Sequence, residues 1–334
     1  MPIDALFLGG TSIDLIQNRQ NRRDGLCFSA SIGGSITNSA IVAAKLGLKT
    51  ALLSKVGKDP LGDFAVDFLS SCKINTRGIM RDSDIRTSIA IAKIDKSGVA
   101  KYTFYKNSPK DSVVSINNVP KYLLDTCKVF HTGSSYSYQK KTFEETIKFI
   151  KYLKKRNVFI FYDPNIRPGN INDKAGVKNR VLTLLKLADL AKLSEVDLEY
   201  LTGSKKPEKG IKILKKMVKC ELILTFGSKG SIYCHHVHLG GDLQPPSRWT
   251  WVKIPAFKVK VADTIGAGDA FTAGLICKLI KHGKTGFFNN IESNIIFASA
   301  VSALICTQKG ANQGLKDIKQ VNSFLSGIAL KFLL

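Results

Sequence analysis

Two carboxylates bracket a glycine-rich turn in VKVADTIGAGDAFTAG, residues 259–274, with Asp263 before Gly266 and Gly268 and Asp269 directly after them. β-Branched residues before Asp263 and small, apolar ones after Asp269 predict a strand, a tight turn and the start of a helix. Backbone N–H groups at such a helix start converge on an anion, and glycines let it approach closely, so Gly266, Ala267 and Gly268 form a candidate anion hole. Asp269, at the same entrance, is placed to take the proton of an attacking alcohol while the amides stabilise a transferred phosphoryl group. The isolated segment also admits a plainer reading, a carboxylate that merely stabilises the first-turn amides. A second candidate is Arg167, which follows DPN at the end of an apolar strand. Its guanidinium suits a transferring phosphoryl group or a phosphorylated acceptor, and equally a structural salt bridge.

The elements that must position these groups alternate. DALFLGG (4–10) and TALLSKVG (50–57) have strand character, whereas SITNSAIVAAKLG (35–47) and DPLGDFAVDFLSSC (59–72) have helical spacing. Later strands fit VFHTG (129–133), VFIFYDPN (158–165), LAKLS (190–194) and LILTFG (222–227), each with a helical candidate nearby. This rhythm predicts a substantially parallel α/β sheet. One interval breaks it. TSIAIAKIDKSGVAKYTFYKN (87–107) reads as a hairpin turning around Asp95 to Gly98, and with residues 14–30 it predicts a small β appendage over a cleft. CHHVHLGGDLQPPSRWTWVK (234–253) reads as an irregular loop in which His235, His236 and His238 are surface residues rather than a metal set.

The chain has 334 residues, 44% of them hydrophobic, enough for a large core. Its 50 basic and 26 acidic residues give a formal net charge of +24. The lysines are dispersed and punctuate apolar helical positions at 140–156 and 209–220, as on solvated helix faces. They lack the aromatic interleaving and Cys/His spacing of specific nucleic-acid recognition. Seven scattered cysteines without a CxxC pair fit reduced thiols. MPIDALFLGG has no basic leader and no apolar run reaches about 18 residues, so a soluble, cytoplasmic protein without membrane partners is the expectation.

The segment DTIGAGDAF (263–271) resembles the C-terminal signature of the ribokinase-like, or PfkB, carbohydrate kinases, with Ile265 in place of a small or hydroxylated residue. GGSITNSAIVAAKLG (33–47) resembles their N-terminal signature, DPNIR (163–167) a segment of fructokinase-like sugar kinases, and LTFGSKG (224–230) their nucleotide-side strand and turn. The four marks stand in the family order across nearly the whole chain. The resemblance implies a single three-layer α/β/α domain spanning 1–334, with a β-sheet lid formed from about 14–30 and 87–110. It implies Asp269 as the base, Gly266 to Gly268 as the anion hole, and Asp14, Gly33, Gly34, Asn38 and Arg167 on the acceptor side. On the donor side it implies Thr225, Gly227, Ser228 and Gly230, with Ser299 where an asparagine is common. In KLSEVDLEYLTG (192–203), which resembles the family's acidic segment, Ser194 and Asp197 stand where Asn and Glu are common; Asp197 is the candidate magnesium ligand, directly or through water, and equally the segment reads as an ordinary acidic helix start. No GxxxxGK[ST] phosphate loop is present.

The expected activity is transfer of the γ-phosphoryl group of ATP, with Mg2+, to a small sugar, fructose to fructose 6-phosphate first. Substrate alternatives are 2-keto-3-deoxygluconate, another sugar or a nucleoside. The alternative in kind is a catalytically weak sugar- or nucleotide-binding regulator. The family resemblance also allows K+ near Asp263 and the 303–312 loop. An exposed lid edge could be sealed by pairing in a homodimer, with a monomer as the alternative.

Overall fold

Along β1 (Ala5–Leu8) all four residues are fully buried, Ala5 and Phe7 in one hydrophobic core, Leu6 and Leu8 in another. Side chains alternate across a strand, so a strand covered on both faces divides its residues this way. The computed structural model describes residues 2–17, 27–94, 100–105, 112–237 and 248–331. Its large sheet runs β13 (Arg248–Ile254), β12 (Ser231–Val237), β11 (Glu221–Thr225), β10 (Leu190–Ser194), β9 (Phe159–Asp163), β8 (Val129–Gly133), β1, β4 (Thr50–Gly57), β5 (Ile79–Asp82). Neighbours from β11 to β5 are parallel, whereas β12 and β13 continue antiparallel.

Helices cover both faces. One core gathers α1 (Ser35–Lys45), α2 (Pro60–Ser71), α8 (Ala267–Asn289), α9 (Ile291–Ile305) and α10 (Ile318–Lys331). The other gathers α3 (Lys121–Thr126), α4 (Lys140–Lys154), α5 (Lys174–Leu187), α6 (Glu195–Thr202) and α7 (Pro207–Met217). The lysines of α4 mark a solvated face as expected, Lys141, Lys148 and Lys151 being exposed while Phe149 and Leu153 are buried; on α7, Lys209, Lys212 and Lys216 are exposed but Lys215 is half-buried, its Nζ 5.9 Å from the Trp251 ring centre. Within α8 the backbone leaves helical geometry at Gly283, where φ is +64°.

A second sheet has the order β3 (Phe28–Gly33), β2 (Ser12–Gln17), β6 (Ser88–Ile94), β7 (Ala100–Tyr105). The expected hairpin is present, with Ile94 opposite Ala100, and its tip at 95–99 lies outside the described residues, as do 18–26 and 106–111. Asp59 ties this sheet to the large one. Its side chain caps α2 through Gly62 N at 2.8 Å and accepts from Thr87 N and Thr87 Oγ1, each at 2.7 Å, one residue before β6.

Two expectations need correction. The stretch 234–253 is not a loop throughout: His235 and His236 belong to β12 and Trp249 and Trp251 to β13, paired antiparallel, while His238 lies outside the described residues. His235 stacks at 5.2 Å on Tyr233 of the same strand and stands opposite Thr250, so antiparallel pairing with β13, not the Gly/Pro run, governs these residues. No strand leads into Asp263 either. β13 ends at Ile254, and the connection is held by Ala262 N and Asp263 N, which donate to Cys306 O. All seven cysteines are free, four of them buried.

Candidate active site

From β1 the chain order moves outward to β4 and β5 on one side and to β8 through β13 on the other. Such a switch point opens a crevice at the carboxyl ends of the strands. A cleft of about 900 Å³ lies there, lined by Gly10 and Thr11 after β1, Ser134 after β8 and Asn165 after β9, with Ser88 and Phe104 of the small sheet on its border. Of the expected acceptor-side residues, Asp14, Gly34, Asn38 and Arg167 line it. Gly33 serves Asp14 instead, because a Cβ there would stand 2.0 Å from Asp14 Oδ1.

Asp269 reaches the cleft from the first turn of α8 and is only 7% exposed. Ser35 Oγ donates to its Oδ1 at 2.6 Å and Asn38 Nδ2 to its Oδ2 at 3.0 Å. Ser39 Oγ fixes the backbone by donating to Asp269 O at 3.1 Å. Burial pushes the carboxyl above the ordinary carboxylate value, against the Ser35 and Asn38 bonds, which favour the ion; the charge of Asp163 adds to the rise and Lys192 opposes it. Asn38 was expected on the sugar; the structure turns its amide nitrogen to the base.

The glycine turn is fitted tightly. Gly266 caps α8 with φ +78°, a left-handed conformation, and a Cβ there would meet Ala311 O at 2.3 Å. Gly266 and Gly268 line the cleft. Ala267 does not: its N–H closes a turn onto Thr264 O at 3.2 Å and its carbonyl accepts from Ser302 Oγ at 2.9 Å. The cradle is therefore narrower than three free amides. Asp263 braces it from behind, accepting from Ile265 N and Gly310 N at 3.0 Å each.

Beneath the turn lies a residue the sequence analysis passed over. Lys192, in the middle of β10, is 3% exposed and its Nζ stands 2.7 Å from Asp163 Oδ2. Thr272 Oγ1 of α8 donates to the same oxygen at 3.2 Å. Burial alone would lower the lysine, but the charges of Asp163 and Asp197 outweigh it and hold the ammonium above its ordinary value. Alongside, His131 is wholly buried between Phe7 and Phe161, and burial pushes it down to about 4, so it is a neutral core residue.

Asp197 does not fit as a direct magnesium ligand. It is fully buried and forms a capping box with Ser194, whose N and Oγ both donate to Oδ2 at 2.6 Å, while Ile166 N donates to Oδ1. It pins the loop that carries Asn165 and Arg167 by accepting from Ile166 N. Among the described residues, no group of three His, Cys, Asp or Glu side chains is placed to hold a metal ion. Thr225 ends β11 beside Ser194, and Gly227, Ser228 and Gly230 follow in a turn. Ser299 is half-buried on α9. These five lie outside the lining of the acceptor cleft.

Comparison with known proteins decides the family. The model described as pfkB family carbohydrate kinase matches residues 3–318. The chain belongs to that family. Among pfkB relatives, Fructokinase-1 of Zea mays is 28% identical over 297 residues, covering 88% of each chain. The crystal structure of a fructokinase from Xylella fastidiosa with bound ATP matches with a TM-score of 0.83 at 23% identity, over 98% of this chain and 100% of that one. A fructokinase from Vibrio cholerae O395 bound to fructose, ADP and calcium ion matches with a TM-score of 0.81 at 24% identity, over 97% and 99%. The chain shares with these structures the three-layer fold and its small accessory sheet.

Proposed function

We propose that this pfkB kinase transfers the γ-phosphoryl group of ATP to a hydroxyl of a small sugar, with fructose to fructose 6-phosphate as the first assignment. The observation that carries the reading is Asp269, held by Ser35 and Asn38 at the entrance of α8 beside Gly266 and Gly268, inside a cleft roomy enough for a sugar. The acceptor oxygen attacks the γ-phosphorus as Asp269 takes its proton; the bond to the bridging oxygen breaks and ADP leaves. The cradle around Gly266 and Gly268 receives the equatorial charge, and Arg167 at the rim supplies a positive partner. The small sheet closes over the sugar and excludes water. Fructose is supported by the similarity to fructokinases from Zea mays and Vibrio cholerae O395.

Magnesium enters this reading with the nucleotide, neutralising phosphate charge. The oxygens of Asp263, each accepting one N–H, fit a neighbouring K+ that would brace the helix entrance. Phe104 and Tyr105, exposed on the edge strand β7, support pairing of two lids in a homodimer.

The test is ATP turnover over a panel of fructose, ribose, 2-keto-3-deoxygluconate and a nucleoside, with Mg2+ and with or without K+. Fructose should give the highest kcat/KM. A higher value for 2-keto-3-deoxygluconate moves the assignment to a sugar acid with Arg167 on its carboxylate, and sugar binding without product across the panel replaces the kinase reading with a regulator.

A further inference from the structure

We infer that Ser35 is a positioning residue for the base: its hydroxyl relays Asn165 to Asp269 and so couples the carboxylate to the loop that carries Arg167. The inference deepens the phosphotransfer reading and rests on it for its kinetic consequence. Asn165 Nδ2 donates to Ser35 Oγ at 2.8 Å, and Ser35 Oγ donates to Asp269 Oδ1 at 2.6 Å. A serine hydroxyl has one proton, so accepting from the amide leaves that proton for the carboxylate and gives the chain one direction. When Asp269 is ionised this final bond is charge-assisted, so it favours the carboxylate over the acid.

Ser35 has no competing structural task at its own helix end. The cap of α1 is Gly34, and no side chain caps it. Asn165 is held firmly for its part. Its backbone adopts φ +44°, a left-handed conformation that asparagine tolerates better than most non-glycine residues and that its surroundings hold in place. They do so on both sides: Tyr138 Oη donates to Pro164 O at 2.7 Å, and Ile166 N is bound by the buried Asp197. Two residues further on, Arg167 faces the cleft. A displacement of this loop by a sugar or phosphate is thus transmitted to one oxygen of the base, while Asn38 holds the other independently.

The donor also offsets burial. Asp269 is pushed up by desolvation, and the Ser35 bond is the first factor opposing that rise. The charges around it are Asp163 on β9 and Lys192 on β10 from below, with Asp14 and Arg167 sharing the cleft. None of them lies on α1, whose two contacts to the carboxylate are the neutral Ser35 and Asn38.

The test reads the titration of Asp269 directly, by 13C NMR of protein labelled at aspartate, with Asp269→Asn to assign the signal. Ser35→Ala should move the midpoint upward, and Ser35→Thr, which keeps a hydroxyl, should hold it near wild type. Asn165→Ala should move it in the same direction by less, and should add little in the Ser35→Ala background because both act through one bond. With the sugar that supports turnover, Ser35→Ala should lower kcat roughly tenfold with KM little changed and carry the acid limb upward with the NMR midpoint. A midpoint unmoved by Ser35→Ala, or a full additional shift from Asn165→Ala in that background, overturns the relay. Wild-type protein that phosphorylates no sugar rejects the kinase reading instead, and the NMR titration still decides the relay.

Discussion

Lys192 Nζ and Asp163 Oδ2 form an ion pair at 2.7 Å in the floor of the site, with both residues almost wholly buried. The pair joins β10 to β9, and Thr272 adds α8 to the same carboxylate. Removing one partner leaves the other charge desolvated and alone, a loss of about 3–5 kcal/mol for a buried pair. Lys192→Met should therefore lower unfolding stability by that order in a denaturant titration. The double change Lys192→Met with Asp163→Leu should recover much of the loss, since it removes the stranded carboxylate. Equal destabilisation in the single and double variants would assign the loss to packing.

How far the sequence reached depended on whether the information was local. VFHTG and LAKLS read correctly as strands over 129–133 and 190–194 because each is a short apolar run between turn signals. Asp269 and its glycines were legible because a helix entrance with its own carboxylate is complete within one segment. Ser35 was not, since its partner lies 234 residues away, and Asn165, its other contact, lies 130 residues away. Lys192 looked like one more lysine in a basic chain; only burial in a parallel sheet sets it apart. In β12 the consecutive histidines and the following Gly/Pro run hid an alternation that pairing with β13 makes plain.

Asp269→Asn preserves shape and the ability to take the Asn38 and Ser35 contacts in part, but removes the proton acceptor. Turnover should fall at least roughly a hundredfold while the melting temperature and sugar affinity stay close to wild type. In the wild type the base must be ionised, and burial raises its folded value. Activity should thus be full above that raised value and be lost as pH falls through it, at a pH higher than an exposed aspartate would give. A pH profile of kcat/KM measures this limb, and Asp269→Asn should abolish it. Near-normal turnover in the folded variant would remove the carboxylate from the chemistry.

Asp59 links the two sheets through one side chain, and its loss should be felt in both. Burial opposes ionisation, but the bonds from Thr87 and Gly62 and the charge of Arg86 outweigh it and hold the carboxyl below the ordinary value. Its contribution is then fully present above the ordinary carboxylate value and is lost as pH falls through the depressed one. Asp59→Ala should cost about 0.5–2 kcal/mol, the usual range for an N-cap, at neutral pH. The difference between wild type and variant should shrink in melts taken at progressively lower pH within the acid range. A constant difference across that range would show that charge is not what the cap contributes.

The two glycines of the cradle should respond differently to the same methyl group. At Gly266 a Cβ would lie 2.3 Å from Ala311 O and 2.7 Å from Ala311 Cα, main-chain atoms that move only with their loop, and φ +78° is itself unfavourable for alanine. At Gly268 the one close neighbour is Lys192 Nζ at 3.2 Å, the far end of a side chain, and the residue is already helical. Gly266→Ala should therefore lower both the melting temperature and turnover, the strain alone costing about 1–3 kcal/mol. Gly268→Ala should lower the melting temperature less than Gly266→Ala, because helix propensity offsets part of the small shift demanded of the ion-paired Lys192 Nζ, yet lose turnover by crowding the space a phosphoryl oxygen must enter. Scanning calorimetry beside steady-state kinetics separates the two effects: a Gly268→Ala variant with full activity would show that the transferred group does not pass over this turn.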